Sequence, residues 1–158
     1  MAYFIGGRVF ENGRRLSPMT GAAGQVVDLF SILHEPQRRS EGSDRGHGPR
    51  AATYTKTLRS EIDLSDQDFE LLLEACDCHT RGTTNRADIT VQTCLDADRL
   101  DIPTVGLSIN TRLLHTPTAK NPSILRWAST RAARRAMPEV AISEWGMRTL
   151  LAERNPWM

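Results

Sequence analysis

The sequence has no long apolar run, little net charge, few aromatic residues and few cysteines. None of its apolar stretches approaches the ~20 residues that cross a bilayer, so no membrane span is expected. Residues 1–7 are too short and too rich in glycine to form a signal peptide. The formal net charge of +1 gives no reason to expect a polyanion as an obligatory partner.

The three cysteines, Cys76, Cys78 and Cys94, are an odd number without a paired framework. They do not form a disulfide scaffold, and they favour a reducing compartment, so a cytoplasmic location is expected. Cys76, Cys78 and His79 make a weak zinc motif, because residues two apart on a helix diverge and no second thiol pair lies nearby. The cysteines are expected to be small core residues.

The composition is that of an ordinary globular protein. The chain has 158 residues, of which 39% are hydrophobic and 25% charged. A chain of this length is expected to form one domain, residues 1–158, that buries roughly two-thirds of its unfolded surface.

Helical periodicity dominates the chain, and no β-hairpin signal or internal repeat is found. Ser65 and Asp88 are typical N-cap residues, Ser65 for a helix that carries an apolar run over 69–76, and Pro103 is expected to end a helix. A polar loop with a turn at 41–43 is expected over 36–46, and irregular structure over 103–122. The other predicted helices cover 22–34, 47–59, 89–101, 123–135 and 139–153. The pattern predicts an all-α protein, a single-domain bundle of six or seven helices.

The segment from Asp96 to Asp101 places three carboxylates in six residues, within an apolar helical frame. Buried carboxylates are costly unless they are paired or bound to a cation. Three histidines stand in separate segments upstream: His34, which precedes Glu35, then His47 and His79. Imidazole and carboxylate groups brought together from several helices are typical of metal sites in helical bundles. The sequence therefore predicts a metal-centred hydrolytic site.

In their order and local context these residues resemble the HD superfamily of metal-dependent phosphohydrolases, over about residues 8–118. His34-Glu35 stands where that family has an adjacent His-Asp pair, and Asp98 matches its later aspartate ligand. Asp96 is the alternative if the register is shifted by two residues. His47 and His79 match two intermediate histidines that some branches carry. The resemblance implies a helical bundle of the HD type.

The resemblance also implies a cofactor and a division of roles. His34, Glu35 and Asp98, or Asp96 in its place, would hold a divalent metal ion, which lowers the pKa of bound water and acts as a Lewis acid. Such ligands do not distinguish Mn, Fe, Ni, Zn and Mg. His47 and His79 would have catalytic roles, by positioning a second metal or the substrate phosphate.

Several arginines flank the histidine segments, and guanidinium groups suit phosphate because they donate forked hydrogen bonds. Arg38, Arg39 and Arg50 are the candidates for phosphate binding, and Arg45 lies among them. The alternative is that these arginines belong to a solvated loop and do not bind phosphate.

Two departures from the family pattern bear on function. No histidine precedes His34, and Ile5 stands near the position of the family's first ligand. Either a sequence that begins too late or the loss of that ligand would explain the difference. Glu35 replaces aspartate, and its additional methylene moves the carboxylate by more than ~1 Å, against a tolerance of about 0.2 Å in a metal site. One hypothesis is a phosphohydrolase acting on a nucleotide or another small phosphorylated metabolite. The alternative is a catalytically degenerate HD-like domain that serves as a binding or scaffolding module.

Other features carry weaker expectations. Asp101 is expected to pair with Arg99 or to cap a loop, and His115, in a proline-flanked loop, is assigned to the surface. A basic helix over 123–135 is interpreted as a solvated face, so nucleic acid is not expected as a partner. The helix contains Arg126, Arg131, Arg134 and Arg135. Trp145 and Trp157 could pack on the domain or on a second copy, which leaves a homo-oligomer open.

Overall fold

The computed structural model describes residues 2–40, 43–81 and 88–133, with the backbone alone for residues 2–5. Within these ranges all regular structure is helical, and no strand occurs. The all-α fold class predicted from the sequence is confirmed. The α-helices of the described part are α1 (Ala2–Thr20), α2 (Gly24–Leu33), α3 (His47–Thr57), α4 (Asp66–Cys78), α5 (Ile89–Arg99) and α6 (Pro122–Ala133).

The helix α1 was not among those predicted, whereas the boundaries of α2, α3, α4 and α5 follow the sequence signals closely. The predicted caps are confirmed: the Ser65 hydroxyl accepts a hydrogen bond from the backbone N–H of Asp68, and the Asp88 carboxylate accepts from those of Thr90 and Val91. The segment predicted to be irregular contains two short 3-10 turns, Ile102–Val105 and Thr111–Leu113. The helix predicted over 139–153 lies outside the described residues, as do two of the three residues of the predicted turn at 41–43.

The helix α1 contains glycines that its neighbour explains. A Cβ on Gly6 would lie 2.9 Å from the carbonyl oxygen of Ser31, so glycine at this position lets α1 pack closely on α2. The same two helices pack against α5, while α3 packs against α4. The core between them is apolar and includes Val9, Leu16, Val26, Phe30, Leu72 and Leu95.

The basic helix α6 is fastened to α1 through an arginine. Arg131 donates hydrogen bonds to the side chain of Asn12 and the carbonyl of Arg8, and it forms an ion pair with Glu11 at 3.0 Å. The guanidinium group of Arg131 therefore holds α6 against α1. Arg126 is exposed on the same helix, and residues 134 and 135 lie outside the described ranges.

None of the described helices combines the length and the apolarity that a membrane crossing requires.

Candidate metal centre

The ends of three helices bring together the histidines and the glutamate predicted from the sequence. His34 and Glu35 follow the last turn of α2, His47 begins α3, and His79 follows α4. The ligand atoms of Glu35, His47 and His79 all lie within 4.8 Å of one another, and the three residues are buried. These residues are close enough to hold a metal ion; Glu35 was predicted as a ligand, whereas His47 and His79 were predicted to have catalytic roles.

Backbone carbonyls orient all three imidazole rings. The Nδ1 atoms of His34, His47 and His79 each lie within hydrogen-bond distance of a carbonyl oxygen three or four residues earlier in the chain. A carbonyl oxygen only accepts, so each Nδ1 carries the hydrogen and each Nε2 is left for another partner. Metal-binding histidines are oriented in this way. The carbonyls belong to Phe30 at 2.9 Å, Asp44 at 2.6 Å and Cys76 at 2.7 Å.

Two of these nitrogens face each other. The Nε2 atoms of His47 and His79 are 2.8 Å apart, and Oε1 of Glu35 lies 3.2 Å from Nε2 of His47. Two lone pairs at this distance repel, so positive charge, as a proton or a cation, must lie between them. Burial lowers the pKa of His79 to about 4, which keeps that ring neutral. Burial also opposes a charge on His47, but the Glu35 carboxylate outweighs it and raises the pKa of His47.

His34 and Asp98 extend the cluster. His34 is completely buried, its ring stacks on Phe30, and its Nε2 has no hydrogen-bond partner among the described residues. Oδ1 of Asp98 on α5 lies 3.6 Å from that nitrogen. Burial opposes ionisation of Asp98, but His34 outweighs it and holds the pKa of the carboxyl below its usual value. A buried nitrogen without a partner beside an ionised carboxylate fits a cation that both atoms would contact.

Asp96, the alternative ligand, has a different role. Its side chain is completely buried and accepts hydrogen bonds from the backbone N–H groups of His115 and Thr116, both at 2.8 Å, and from the Thr116 hydroxyl at 2.7 Å. Both of its oxygens are thus engaged with the 115–116 segment, which they hold against α5. His115, assigned to the surface from the sequence, is in fact half-buried, because its backbone is fixed by Asp96.

Asp101 also has a structural partner. It accepts a hydrogen bond from Nε of Arg8, 2.8 Å away on α1, and one from the Thr104 hydroxyl at 3.3 Å. Arg99, its expected partner, donates to the carbonyl of Leu113. Arg8 lies 93 residues before Asp101, so no local pattern indicated the pair.

A cavity of about 390 Å3 opens beside the cluster, lined by Glu35, His47, His79 and Asp98 among others. Of the predicted phosphate-binding arginines only Arg38 lines it, and Arg45 lines it as well. The guanidinium of Arg50 is engaged elsewhere, donating to the carbonyl of Gln37 and to the Asp44 carboxylate at 2.5 Å. Arg39 is exposed; its backbone N–H donates to Asp44, and it does not line this cavity.

The structure also identifies residues that the sequence analysis did not single out. Thr80, Ile102, Thr104 and Val105 line the same cavity. Gly48 matters for another reason: a Cβ at this position would lie 2.6 Å from the carbonyl oxygen of Asp77 and 2.8 Å from the Thr80 hydroxyl. The signal in the sequence was that Gly48 directly follows His47, at the start of a predicted helix.

Ile5 belongs to α1, and its side chain lies outside the described atoms. The three cysteines are free and buried in the core, as expected. Burial raises the pKa of Cys76 to about 12 and that of Cys78 to about 11, so neither thiol is a thiolate near neutral pH.

Comparison of the chain with protein-family models, with curated proteins and with solved structures finds no match. The class that the fold and the site define is therefore a coarse one. The chain is a helical bundle whose described residues include a buried glutamate and two histidines that can hold a metal ion.

Proposed function

We propose that this protein is a metal-dependent phosphohydrolase that acts on a nucleotide or another small phosphorylated metabolite. The observation that carries the proposal is the convergence of Glu35, His47 and His79, with their ligand atoms within 4.8 Å of one another at the edge of a cavity. His34 and Asp98 would complete the ligand set from the ends of α2 and α5.

The donor set suits a divalent cation. Each Nε2 faces the cluster because each Nδ1 donates to a carbonyl, and two carboxylates supply negative charge beside the rings. A divalent metal bound there would supply a Lewis acid and lower the pKa of bound water. Imidazole and carboxylate donors are compatible with Mn, Fe, Ni and Zn, and less specifically with Mg.

The chain's own residues would bind and orient the substrate. Arg38 and Arg45 reach the cavity from the segment between α2 and α3, and their guanidinium groups would bind phosphate oxygens. The ionised Asp98 carboxylate, at the cavity wall, would accept a hydrogen bond from the attacking water and orient it. The buried histidines would exclude water from the inner side of the site, which would strengthen electrostatic interactions with the phosphate.

The order of the candidate ligands along the chain supports the same reaction class. A histidine with a neighbouring carboxylate, two further histidines and a later aspartate follow one another as in the HD superfamily, and the fold is helical as that resemblance implies. Asp98 rather than Asp96 would be the aspartate ligand, since both Asp96 oxygens are bound by the 115–116 segment.

The second candidate is a binding or scaffolding module without turnover. It is favoured by the internal pairing of Glu35, which lies 3.2 Å from Nε2 of His47 and 3.5 Å from Nη1 of Arg38. A metal ion would have to displace these partners to reach the same oxygen, which opposes binding. The two candidates differ in whether metal loading produces hydrolysis.

The first test is the metal content of protein purified without chelator and then reconstituted with Mn2+, measured by mass spectrometry. We expect near-stoichiometric metal in the wild type and its loss in His47→Gln and His79→Gln, because each variant removes a ligand nitrogen. His115→Gln is the matched control, because His115 neither belongs to the group of possible ligands nor lines the cavity. Unchanged metal content in the His47 and His79 variants would overturn the metal centre.

The second test is release of inorganic phosphate by the Mn2+-loaded protein from a panel of phosphomonoesters, including nucleoside monophosphates. Hydrolysis by the wild type, absent in His79→Gln and retained in His115→Gln, is the result expected of a phosphohydrolase. Stoichiometric metal with no hydrolysis across the panel would favour the binding module.

A further inference from the structure

We propose that the substrate is a phosphomonoester with an uncharged, apolar leaving group, and that the turn Ile102–Val105 forms the surface against which that group lies. The inference deepens the proposed function and rests on it. It concerns the part of the cavity that the metal centre and the arginines do not account for.

The turn contributes apolar side chains to a cavity that is otherwise polar. Ile102 and Val105 line the same cavity as the metal cluster, and Val105 is 64% exposed. Cover of an exposed aliphatic side chain by an apolar group is favourable, because it removes apolar surface from water. The leaving group of a bound substrate is the group that would lie there.

The turn is held in place. The Thr104 hydroxyl donates to the carbonyl of Asp101 at 2.7 Å, and the Asp101 carboxylate is paired with Arg8 on α1. The side chains at positions 102 and 105 are therefore presented by a fixed backbone. A fixed apolar surface discriminates between leaving groups, because the contact does not have to be ordered on binding.

The charges that line the cavity favour a single phosphate. The acidic residues that line the cavity are Glu35, Asp44, Asp98 and Asp101, and the arginines that line it are Arg38 and Arg45. Two of the carboxylates are neutralised by arginines that do not line the cavity, since Asp44 pairs with Arg50 and Asp101 with Arg8. Arg38 is already paired with Glu35 at 3.5 Å, so a bound metal ion and Arg45 would be the positive charges that remain for the substrate, and they suit one phosphate dianion better than the larger charge of a triphosphate.

The size of the cavity agrees with a small monoester. A volume of about 390 Å3 lies at the lower end of the range for small-ligand sites, so a phosphate and an alkyl chain or a single ring system would fill it. The electrostatic and the apolar part together define the substrate class: one phosphate, with an apolar group next to the ester oxygen.

The experiment compares butyl phosphate with glycerol 3-phosphate, using the full chain loaded with Mn2+. Both probes carry one phosphate on an alcohol, but only butyl phosphate has an apolar leaving group. We expect kcat/KM for butyl phosphate to be at least about tenfold higher, the discrimination that small apolar differences supply in a pocket. In Val105→Asn the preference should fall to within about twofold, because the apolar contact is lost.

Leu107→Asn is the matched control, since Leu107 is also 64% exposed, lies two residues away and does not line this cavity. It should keep the preference and, like Val105→Asn, the full Mn2+ content. Equal kcat/KM for the two probes, or a preference that survives in Val105→Asn or disappears in Leu107→Asn, would overturn the inference and leave the hydrolase proposal standing. Hydrolysis of neither probe, nor of any monoester in the panel, would overturn both.

Discussion

The Nε2 atoms of His47 and His79 lie 2.8 Å apart at a point where α3 and α4 touch through their backbones. Gly48 makes this contact: a Cβ there would lie 2.6 Å from the carbonyl oxygen of Asp77 and 3.1 Å from that of Cys76. The carbonyl of Cys76 also holds the ring of His79. The helix contact and the imidazole pair therefore form one unit, in which a shift of either helix would separate the two nitrogens.

Gly48→Ala should weaken metal binding without removing any ligand. The added methyl group meets backbone atoms, which cannot turn aside, so α3 and α4 must move apart. We expect Mn2+ affinity to fall by about tenfold or more, since ligand positions tolerate only about 0.2 Å. We also expect the free energy of unfolding to fall by about 1–3 kcal/mol, as is usual for overpacking. Calorimetric titration and urea unfolding measure the two effects.

Gly24→Ala is the control for this prediction. Gly24 begins α2, and a Cβ there would meet nothing within 4 Å. This variant should bind Mn2+ like the wild type and be as stable or slightly more so. A Gly48→Ala protein with wild-type affinity would show that the backbone contact does not determine the geometry of the site.

Glu35→Asp should bind Mn2+ more weakly than the wild type. The carboxylate of Glu35 reaches 3.2 Å from Nε2 of His47, and removal of one methylene would withdraw it by about 1 Å, several times the tolerance of a metal ligand. We expect a loss of about tenfold to a hundredfold in affinity. Glu70→Asp, at an exposed position of α4, is the matched control. Tighter binding by Glu35→Asp would show instead that glutamate is a poor fit in this bundle.

Asp96→Asn and Asp98→Asn should affect different properties. Asp96 is buried and accepts three hydrogen bonds, and an amide there would turn a donor toward other donors. We therefore expect Asp96→Asn to lower the free energy of unfolding by about 3 kcal/mol. The Asp98 side chain is 26% exposed, so Asp98→Asn should change stability by less than about 1 kcal/mol and lose metal. Urea unfolding and metal analysis of both variants distinguish the roles; a reversed pattern would make Asp96 the ligand.

His115 should make the protein less stable in acid. Burial first, and then the charge of Arg99, lower the pKa of His115 from its ordinary value of 6.5. The unfolded chain therefore binds more protons than the folded one as the pH falls below 6.5. His115 thus stabilises the folded state above that pH, and this contribution is lost on acidification. Between about pH 7.5 and about pH 5, the wild type should lose more unfolding free energy than His115→Gln. Parallel stability curves would contradict this assignment.

Much of the fold was predictable because its signals are local. The helices predicted over 22–34, 47–59 and 89–101 agree with α2, α3 and α5 to within two residues at either end, and the helix predicted over 123–135 begins one residue after the start of α6. The helix α1 was not among those predicted. Ser65 and Asp88 begin their helices because a short polar side chain can reach an N–H group two or three residues later. Five of the residues that line the cavity were also indicated by the order of histidines, carboxylates and arginines along the chain: Glu35, Arg38, His47, His79 and Asp98.

The choice between Asp96 and Asp98 could not be made from the sequence, because it depends on how α5 is rotated against its neighbours. The two side chains point in different directions from one helix, and only the position of residues 115 and 116 decides which of them faces the cavity. Arg50 illustrates the same limit. It stands near the predicted site in the chain, yet Asp44 and the carbonyl of Gln37 draw its guanidinium elsewhere.

The hydrogen bonds of Asp96 have a practical consequence for the segment 106–112. The chain before it is tied to α1 through Asp101 and Arg8, and the chain after it is tied to α5 through Asp96, while the residues between are mostly exposed. Because the entropy of closing a loop grows only slowly with its length, a peptide inserted near Ser108 would extend outward between two fixed ends. An epitope or a fluorescent label could be carried there without displacing the metal ligands.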